Sequence, residues 1–209
     1  MRIVVFGASR GVGRNVVEQA LQAGHQVTAF VRTPSAFAVQ HPNLTVVQGD
    51  SMDAAAVEKA VAGQGAVISA LGPTRPPVPG MMETSAKNIV TAMKKHGVQR
   101  LISTTGAGVR QPEDQPKLSD HVIQALLNLL AKSVVLDSAA NVRVIQDSNL
   151  DWTVVRFPRL VDGERTGKAH PGYVNRSSST KLSRADAADL VLKELVENKW
   201  LRKLPIVSY

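Results

Sequence analysis

A glycine loop close to Met1 constrains the fold of this chain more than any other feature of the sequence. The apolar run Ile3 to Phe6 leads directly into this loop, and an amphipathic helical pattern follows it. A strand, a glycine loop and a helix in this order are typical of dinucleotide-binding folds, where backbone N–H groups approach a pyrophosphate. The alternative is a structural turn without a nucleotide. The residues predicted to bind the phosphates are Gly7, Ser9, Arg10, Gly11, Val12 and Gly13.

Short apolar runs alternate with helical patterns along the rest of the chain, as they do in βαβ units. The sequence therefore predicts an α/β protein, a Rossmann-type doubly wound parallel sheet in a single domain, 1–209. Glycines at Gly24 and Gly97 are predicted to end helices, and Ser183 is predicted to cap one. The predicted strands are Ile3 to Phe6, Gln26 to Val31, Leu44 to Gln48, Ala66 to Ala70, Arg100 to Thr104, Trp152 to Phe157 and Leu204 to Val207. The predicted helices are Val12 to Ala23, Ala54 to Val61, Glu83 to His96, a segment within Ser119 to Gln146, and Arg184 to Asn198.

Composition narrows the class of protein. The net charge of +8 favours anionic small molecules, but the basic residues are scattered and aromatic residues make up only 4%, so no nucleic-acid partner is expected. The chain has no cysteine and no apolar run of the ~20 residues that a membrane span needs, which favours a cytoplasmic protein. No metal is expected, because the histidines lack ligand spacing. The apolar segment His121 to Leu136 predicts a core helix or a dimer interface, hence a monomer or homodimer.

Long loops are predicted to form the substrate pocket. They are 72–81, which holds four prolines, 105–118, and 158–180. Loops after the carboxyl ends of parallel strands border the ligand crevice in open α/β sheets. Plain connections are the alternative reading of these loops.

Arg32 predicts which dinucleotide binds. It stands near the end of the second strand, where NAD-preferring sites carry an acidic residue. A guanidinium binds a 2′-phosphate through charge-assisted hydrogen bonds, and Arg10 can approach the same group, so NADPH/NADP+ is the expected cofactor. A solvated surface arginine is the alternative. Asp50 and Ser51 follow the third strand and offer acceptors to the adenine, although either could also cap the helix at Ala54.

Several segments resemble atypical short-chain dehydrogenases/reductases of the NAD(P)H-binding, NmrA-like group, and are particularly similar to the biliverdin-IXβ reductase/flavin reductase proteins. The similarity covers nearly the whole chain. Besides the glycine loop, it is carried by Val31-Arg32, Val47 to Asp50, Val61 to Gly72, Asn88 to Val98, Ser148 to Thr153 and Leu182 to Ala188.

The resemblance implies roles for further residues and also has departures. Ala70, Leu71 and Gly72 would lie along the middle of the cofactor, and Thr104, Thr105, Phe157 and Pro158 would border the nicotinamide. Arg10 replaces the usual second glycine of the atypical group. Gly106 and Arg159 replace the serine and histidine of the flavin reductases.

The sequence lacks the Tyr-x-x-x-Lys pair that other short-chain dehydrogenases use for proton transfer, because Tyr173 and Tyr209 are the only tyrosines and no lysine lies four residues later. Hydride transfer to a flavin, quinone or similar conjugated acceptor needs less help from the protein. Thr104, Thr105 and Arg159 are the catalytic candidates; strand-end capping or solvation is the alternative for each.

Arg159, together with Arg75 and Arg110 on the predicted rim loops, could also pair with an acidic acceptor. Two other functions remain open for the chain. One is a non-catalytic NADP(H)-sensing regulator of NmrA-like type, and the other is an epimerase or dehydratase-like enzyme.

Overall fold

The computed structural model of this chain describes residues 1–74, 76–116, 125, 129, 131–174 and 178–209. The strands are β1 (Arg2–Phe6), β2 (Gln26–Val31), β3 (Leu44–Gln48), β4 (Ala66–Ser69), β5 (Arg100–Gly106), β6 (Asp151–Phe157), β7 (Arg159–Val161), β8 (His170–Gly172), β9 (Lys181–Ser183) and β10 (Ile206–Ser208). The helices are α1 (Gly11–Gln22), α2 (Ala54–Val61), α3 (Met81–Lys95), α4 (Lys132–Gln146) and α5 (Arg184–Glu197).

A mostly parallel sheet forms the centre of the molecule, and this confirms the predicted Rossmann-type α/β fold. Its eight strands have the order β3-β2-β1-β4-β5-β6-β10-β8, in which β8 runs antiparallel to β10. The strand β1 pairs in parallel with β2 on one side and with β4 on the other. The order in which successive strands are added to the sheet therefore reverses between β1 and β4. Ligands bind at such a switch point in open α/β sheets.

Helices cover both faces of the sheet, which explains why β1 is apolar at every position from Ile3 to Phe6. Ile3 and Val5 join one core cluster, which includes residues of α1 and α5. Val4 and Phe6 point to the opposite face and join a second cluster with residues of α2, α3 and α4. A strand buried on both faces needs apolar residues at every position rather than at every second one.

The predicted helix ends are confirmed at three positions. Gly24 and Gly97 follow the C-termini of α1 and α3 in left-handed conformations, with φ angles of 79° and 68°. Ser183 caps α5, since its hydroxyl accepts a hydrogen bond from the Asp186 N–H at 3.0 Å. These ends depend on local chemistry, which a sequence displays directly.

The expected alternative role of Asp50 or Ser51 as a helix cap is wrong. Asp53 caps α2 instead, and its carboxylate accepts hydrogen bonds from the N–H groups of Ala55 and Ala56 at 2.9 and 3.2 Å. The Asp50 carboxylate accepts from the Met52 N–H within the preceding turn. Asp53 lies nearer the first helical turn, so its short side chain reaches the free donors there.

The capping of α3 is supplied from another helix. Gly80 precedes α3 and has no side chain to cap it. The carboxylate of Asp137, on α4, accepts hydrogen bonds from the N–H groups of Met82 and Glu83 at 3.0 and 3.1 Å. This contact joins α3 to α4 beside the loop that follows β4.

Several predicted boundaries differ from the structure by one or two residues; α3 begins at Met81 rather than Glu83, and β10 begins at Ile206 rather than Leu204. β5 continues to Gly106, two residues beyond its predicted end, and 158–180 contains the short strands β7 and β8 rather than loop alone. Three-residue strands carry too little periodicity to be separated from loop in a sequence. Half of the predicted apolar helix at 121–136 lies outside the described residues, as do parts of all three predicted rim loops. No helix among the described residues is both long enough and apolar enough to cross a membrane.

Candidate dinucleotide site

A cleft of about 910 Å³ lies at the carboxyl ends of the central strands. This volume is near the upper end of the ~300–1,000 Å³ typical of small-molecule sites. The cleft brings together residues that are far apart in the chain. Of the residues predicted from the sequence, those that line it are Gly7, Ser9, Arg10, Gly11, Val12, Arg32, Asp50, Ser51, Ala70, Leu71, Gly72, Thr104, Thr105, Phe157 and Pro158.

The loop between β1 and α1 has a backbone path that only glycine permits. Gly7 has a φ angle of 76°, and a Cβ atom there would lie 2.6 Å from the carbonyl oxygen of Ala70. A Cβ atom on Gly13 would lie 2.2 Å from the Gly7 carbonyl oxygen. Gly13 therefore packs against the loop and does not itself line the cleft. The Asn15 amide donates to the Gly11 carbonyl at 2.9 Å and holds the middle of the loop.

The start of α1 is open to an anion. Its cap residue, Arg10, makes no side-chain capping hydrogen bond, and the first turn contains no acidic residue. The partial positive charge of a helix N-terminus is normally balanced by such groups. Together with the glycine cradle, this uncompensated end fits the pyrophosphate of a dinucleotide.

Two exposed arginines stand at one end of the cleft. Arg10 and Arg32 both line it, and no described residue pairs with either guanidinium. The ring of Phe30, two residues before Arg32, packs so closely against Gly49 that a Cβ atom at Gly49 would lie 2.4 Å from it. This packing brings the chain after β3 against the end of β2. The arrangement provides a positively charged region at the position where the sequence predicts the adenosine 2′-phosphate.

Asp50 and Ser51 line the same end but differ in their environments. Ser51 is buried, and its hydroxyl accepts a hydrogen bond from Ser85 at 2.8 Å. Its carbonyl accepts from the Asn88 amide at 3.0 Å. Asp50 is exposed at the cleft. Contacts from α3 thus fix the backbone of Ser51, and Asp50 presents its carboxylate beside it.

The other end of the cleft is more apolar. Phe157 is buried, and Thr104 donates a long hydrogen bond of 3.4 Å to the Ser69 carbonyl, which joins β5 to β4. This contact is the strand-end capping foreseen as the alternative for Thr104. Leu160, on β7, also lines the cleft. Met81 lines it as well but lies near Ser51, because the Ser85 hydroxyl contacts both the Ser51 hydroxyl at 2.8 Å and the Met81 Sδ at 3.6 Å. Nothing in the local sequence singles these residues out.

Arg159 does not line the cleft, although its neighbours Pro158 and Leu160 do. Side chains alternate between the two faces of a strand, so β7 presents Leu160 to the cleft and exposes Arg159 to solvent. Arg110 is also absent from the lining, and Arg75 lies outside the described residues.

Neither tyrosine reaches the cleft. The Tyr209 hydroxyl donates to the buried Asp186 carboxylate at 2.7 Å, and the Tyr173 ring packs edge-on against Trp200. Burial by itself raises the pKa of Asp186, but hydrogen bonds from Tyr209, Thr166 and Gly167 outweigh it and hold this pKa below its ordinary value. Tyr209, directly after β10, thus joins that strand to the first turn of α5, and Thr166 and Gly167 join the segment before β8 to the same carboxylate.

A buried ion pair holds the rim of the apolar end. The Arg156 guanidinium, on β6, donates to both carboxylate oxygens of Asp114 at 2.6 and 2.8 Å, and the two side chains are 0% and 2% exposed. Asp114 also accepts from the N–H groups of Gln111 and Val174. Burial alone raises the pKa of Asp114, but these hydrogen bonds, that from Arg156 first, hold it below its ordinary value. Two rim segments thus meet at one carboxylate.

Sequence reasoning missed Arg184 and Asp162, which also line the cleft. The Arg184 guanidinium donates to the Asp162 carboxylate at 2.6 Å. The predicted cap at Ser183 placed Arg184 in the first turn of a helix. That this turn lies beside the glycine loop depends on the packing of α5 against α1.

The chain belongs to the NAD(P)H-binding family, whose pattern matches residues 7–198. It is 35% identical over 120 residues to a 3-beta-hydroxysteroid dehydrogenase of Mycolicibacterium neoaurum, a match that covers 52% of this chain and 32% of that enzyme. The chain thus matches only about a third of that relative. It is 25% identical to the uncharacterized protein YwnB of Bacillus subtilis, across 93% of this chain and 92% of that protein.

Solved structures with the same fold include ChuY, an anaerobilin reductase from Escherichia coli O157:H7. It has a TM-score of 0.82 and 23% identity, over 100% of this chain and 97% of that one. A short-chain dehydrogenase/reductase from Veillonella parvula, in complex with NADP, has a TM-score of 0.81 and 19% identity, over 100% and 94% of the two chains. The predicted NAD(P)H-binding family and Rossmann-type fold are thereby confirmed.

Proposed function

We propose that this protein is an NADPH-dependent reductase that transfers hydride to a flavin, a quinone or a similar conjugated small molecule. One observation carries the proposal. A single cleft is lined by the exposed arginines Arg10 and Arg32, by the glycine loop, and by the apolar side chains of Phe157 and Leu160. Such a cleft suits a dinucleotide with a 2′-phosphate at one end and an acceptor beside the nicotinamide at the other.

Residues at different positions in the cleft bind different parts of the cofactor. Arg10 and Arg32 hold the 2′-phosphate, and the N–H groups of the glycine loop hold the pyrophosphate. Thr104, with Phe157 and Pro158, borders the nicotinamide. The bound cofactor supplies the hydride. The protein orients the acceptor and excludes water, and these are the contributions that hydride transfer to a conjugated ring chiefly requires.

The apolar end favours a flat conjugated acceptor over a simple ketone. Phe157 and Leu160 present apolar surface to the cleft there, and an aromatic ring packs well against a flat conjugated molecule. No tyrosine in the described part of the chain lies there to protonate an alkoxide. A conjugated acceptor can take its proton from solvent after the hydride has been transferred.

Turnover tests the proposal directly. Purified protein is mixed with NADPH and, in turn, FMN, riboflavin, small quinones and a linear tetrapyrrole, and absorbance loss is followed at the reduced-nicotinamide band. We expect acceptor-dependent consumption of NADPH with at least one of them. The carboxylate-bearing tetrapyrrole and the uncharged quinones also separate an acidic from a neutral acceptor. Tight NADPH binding without consumption by any acceptor would contradict a reductase and favour an NADP(H)-sensing regulator.

The role of Arg32 predicts a change in cofactor preference. Arg32→Ala is expected to weaken NADPH binding by about tenfold or more and to leave NADH binding nearly unchanged, because only NADPH carries the 2′-phosphate. Fluorescence titration with both cofactors measures the two affinities. The matched control is Arg143→Gln, which removes one positive charge from an exposed position on α4 outside the cleft. Equal losses of affinity for NADPH and NADH would show that Arg32 does not bind the 2′-phosphate.

A further inference from the structure

We propose that Arg184 binds the pyrophosphate of the dinucleotide and that Asp162 competes with the pyrophosphate for the same guanidinium. This inference rests on the proposed function, because it concerns how the same cleft holds its cofactor. It adds a further arginine to the residues proposed to bind phosphate, at a position different from that of Arg10 and Arg32, and it assigns to Asp162 a role in regulating affinity.

Arg184 lies against the phosphate-binding loop. A Cβ atom built on Gly11 would be 3.9 Å from Nε and 4.0 Å from Cδ of Arg184. Gly11 is the middle glycine of the loop and stands at the open N-terminus of α1. The Arg184 side chain is 31% exposed, so it is supported by the protein and still accessible from the cleft. A pyrophosphate bound to the loop would meet this guanidinium.

The position of Arg184 is set by rigid elements. It is the first residue of α5, directly after the cap residue Ser183. α5 packs beside α1 in one core cluster, and the Gln19 amide donates to the Ala185 carbonyl at 2.9 Å. The base of the arginine side chain is thus fixed relative to the glycine loop. Only the outer part of the side chain has to move when its partner changes.

Asp162 is well placed to compete but binds weakly. Its carboxylate accepts from Arg184 Nη1 at 2.6 Å, and its side chain is 98% exposed. An ion pair with a solvated carboxylate contributes little, because water and salt screen it. The backbone keeps this carboxylate close, since a Cβ atom on Gly163 would be 3.3 Å from Cβ of Ser183, and the Ser183 hydroxyl donates to the Glu164 carbonyl.

The exchange of partners follows from charge and geometry. A pyrophosphate carries two negative charges and several acceptor oxygens, whereas Asp162 carries one charge. A planar guanidinium binds phosphate oxygens through two parallel hydrogen bonds. Arg184 is therefore expected to leave Asp162 for the pyrophosphate. Both NADPH and NADH contain the pyrophosphate, so Arg184 should act equally on both, unlike Arg32.

The first test is Arg184→Gln, titrated with NADPH, NADH and adenosine 2′-monophosphate, which has no pyrophosphate. We expect affinity for both dinucleotides to fall by about tenfold, a typical effect of losing a charge-assisted contact, with the affinity for the monophosphate unchanged. Arg143→Gln again controls for the loss of one charge. Unchanged binding of both dinucleotides, or a loss confined to NADPH, would overturn the proposal.

Asp162→Asn provides a second and independent test, because an exposed side chain is unimportant for folding. We expect NADPH and NADH to bind about two- to fivefold more tightly, and we expect this gain to vanish in the Arg184→Gln background. If Arg184→Gln fails to fold by circular dichroism, unchanged binding in Asp162→Asn overturns the proposal by itself. Wild-type protein that binds neither dinucleotide refutes the proposed function as well. Binding without turnover refutes only the reductase.

Discussion

Replacing Asp114 by asparagine is expected to lower the free energy of unfolding by about 3–5 kcal/mol, the usual cost of breaking a buried ion pair on one side. The substitution keeps the size of the side chain and removes its charge. The Arg156 guanidinium, which is 0% exposed, would then be buried without its counter-charge. Urea unfolding at neutral pH measures the change. The midpoint urea concentration should fall by the lost free energy divided by the m-value.

The neighbouring carboxylate offers a matched control. Glu113 is exposed, so Glu113→Gln should change the unfolding free energy by no more than ~0.5 kcal/mol. The pKa of Asp114 lies below its ordinary value of 3.8, so the pair contributes fully above that pH and loses its contribution as pH falls through the lowered pKa. The gap between wild type and Asp114→Asn should therefore narrow in acid. Equal effects of the two substitutions at neutral pH would contradict a special role for the buried pair.

Gly13→Ala is expected to weaken NADPH binding by about tenfold or more and to destabilise the fold by about 1–3 kcal/mol, as overpacking does. A methyl group there would lie 2.2 Å from the Gly7 carbonyl oxygen. Backbone cannot swing aside as a side chain can, so the glycine loop must shift and its N–H groups must leave their positions around the phosphates. Titration with NADPH and urea unfolding measure the two effects separately.

Gly172→Ala is the matched control for this substitution. Gly172 lies in β8, outside the lining of the cleft, and a Cβ atom there would have no heavy atom within 4 Å. We expect unchanged NADPH binding in this variant. NADPH binding in Gly13→Ala at the wild-type level would show that the loop tolerates the shift and that its conformation is not what holds the phosphates.

The parts of the site that were predicted from the sequence share one property, which is that short contiguous segments encode them. Gly7 to Gly13 follows a strand and begins a helix, and Arg32 follows the second strand. Parallel strands carry such loops to the same edge of a sheet, so the topology itself assembles them. The caps at Gly24 and Ser183 are local for the same reason.

The parts that were missed depend on contacts between distant segments. Asp137 caps α3 across 55 positions of the chain, and Asp114 meets Arg156 across 42. In the sequence these are ordinary aspartates and an arginine within a strand, with no pattern that pairs them. Arg159 was assigned to the site because of its position in the chain, and the pleat of β7 turned it outward.

The amino-acid sequence by itself determined that this chain has an α/β sheet with a glycine loop for a dinucleotide and an arginine where NAD-preferring sites have an acid. These features follow from periodicity, glycine conformation and charge, which act over a few residues. The tertiary structure alone decided that Arg184 stands beside Gly11, that Met81 and Met82 line the cleft, and that a buried ion pair joins two segments of its rim. The physical reason is that helix packing and burial bring distant side chains together, and no local interaction specifies those distances.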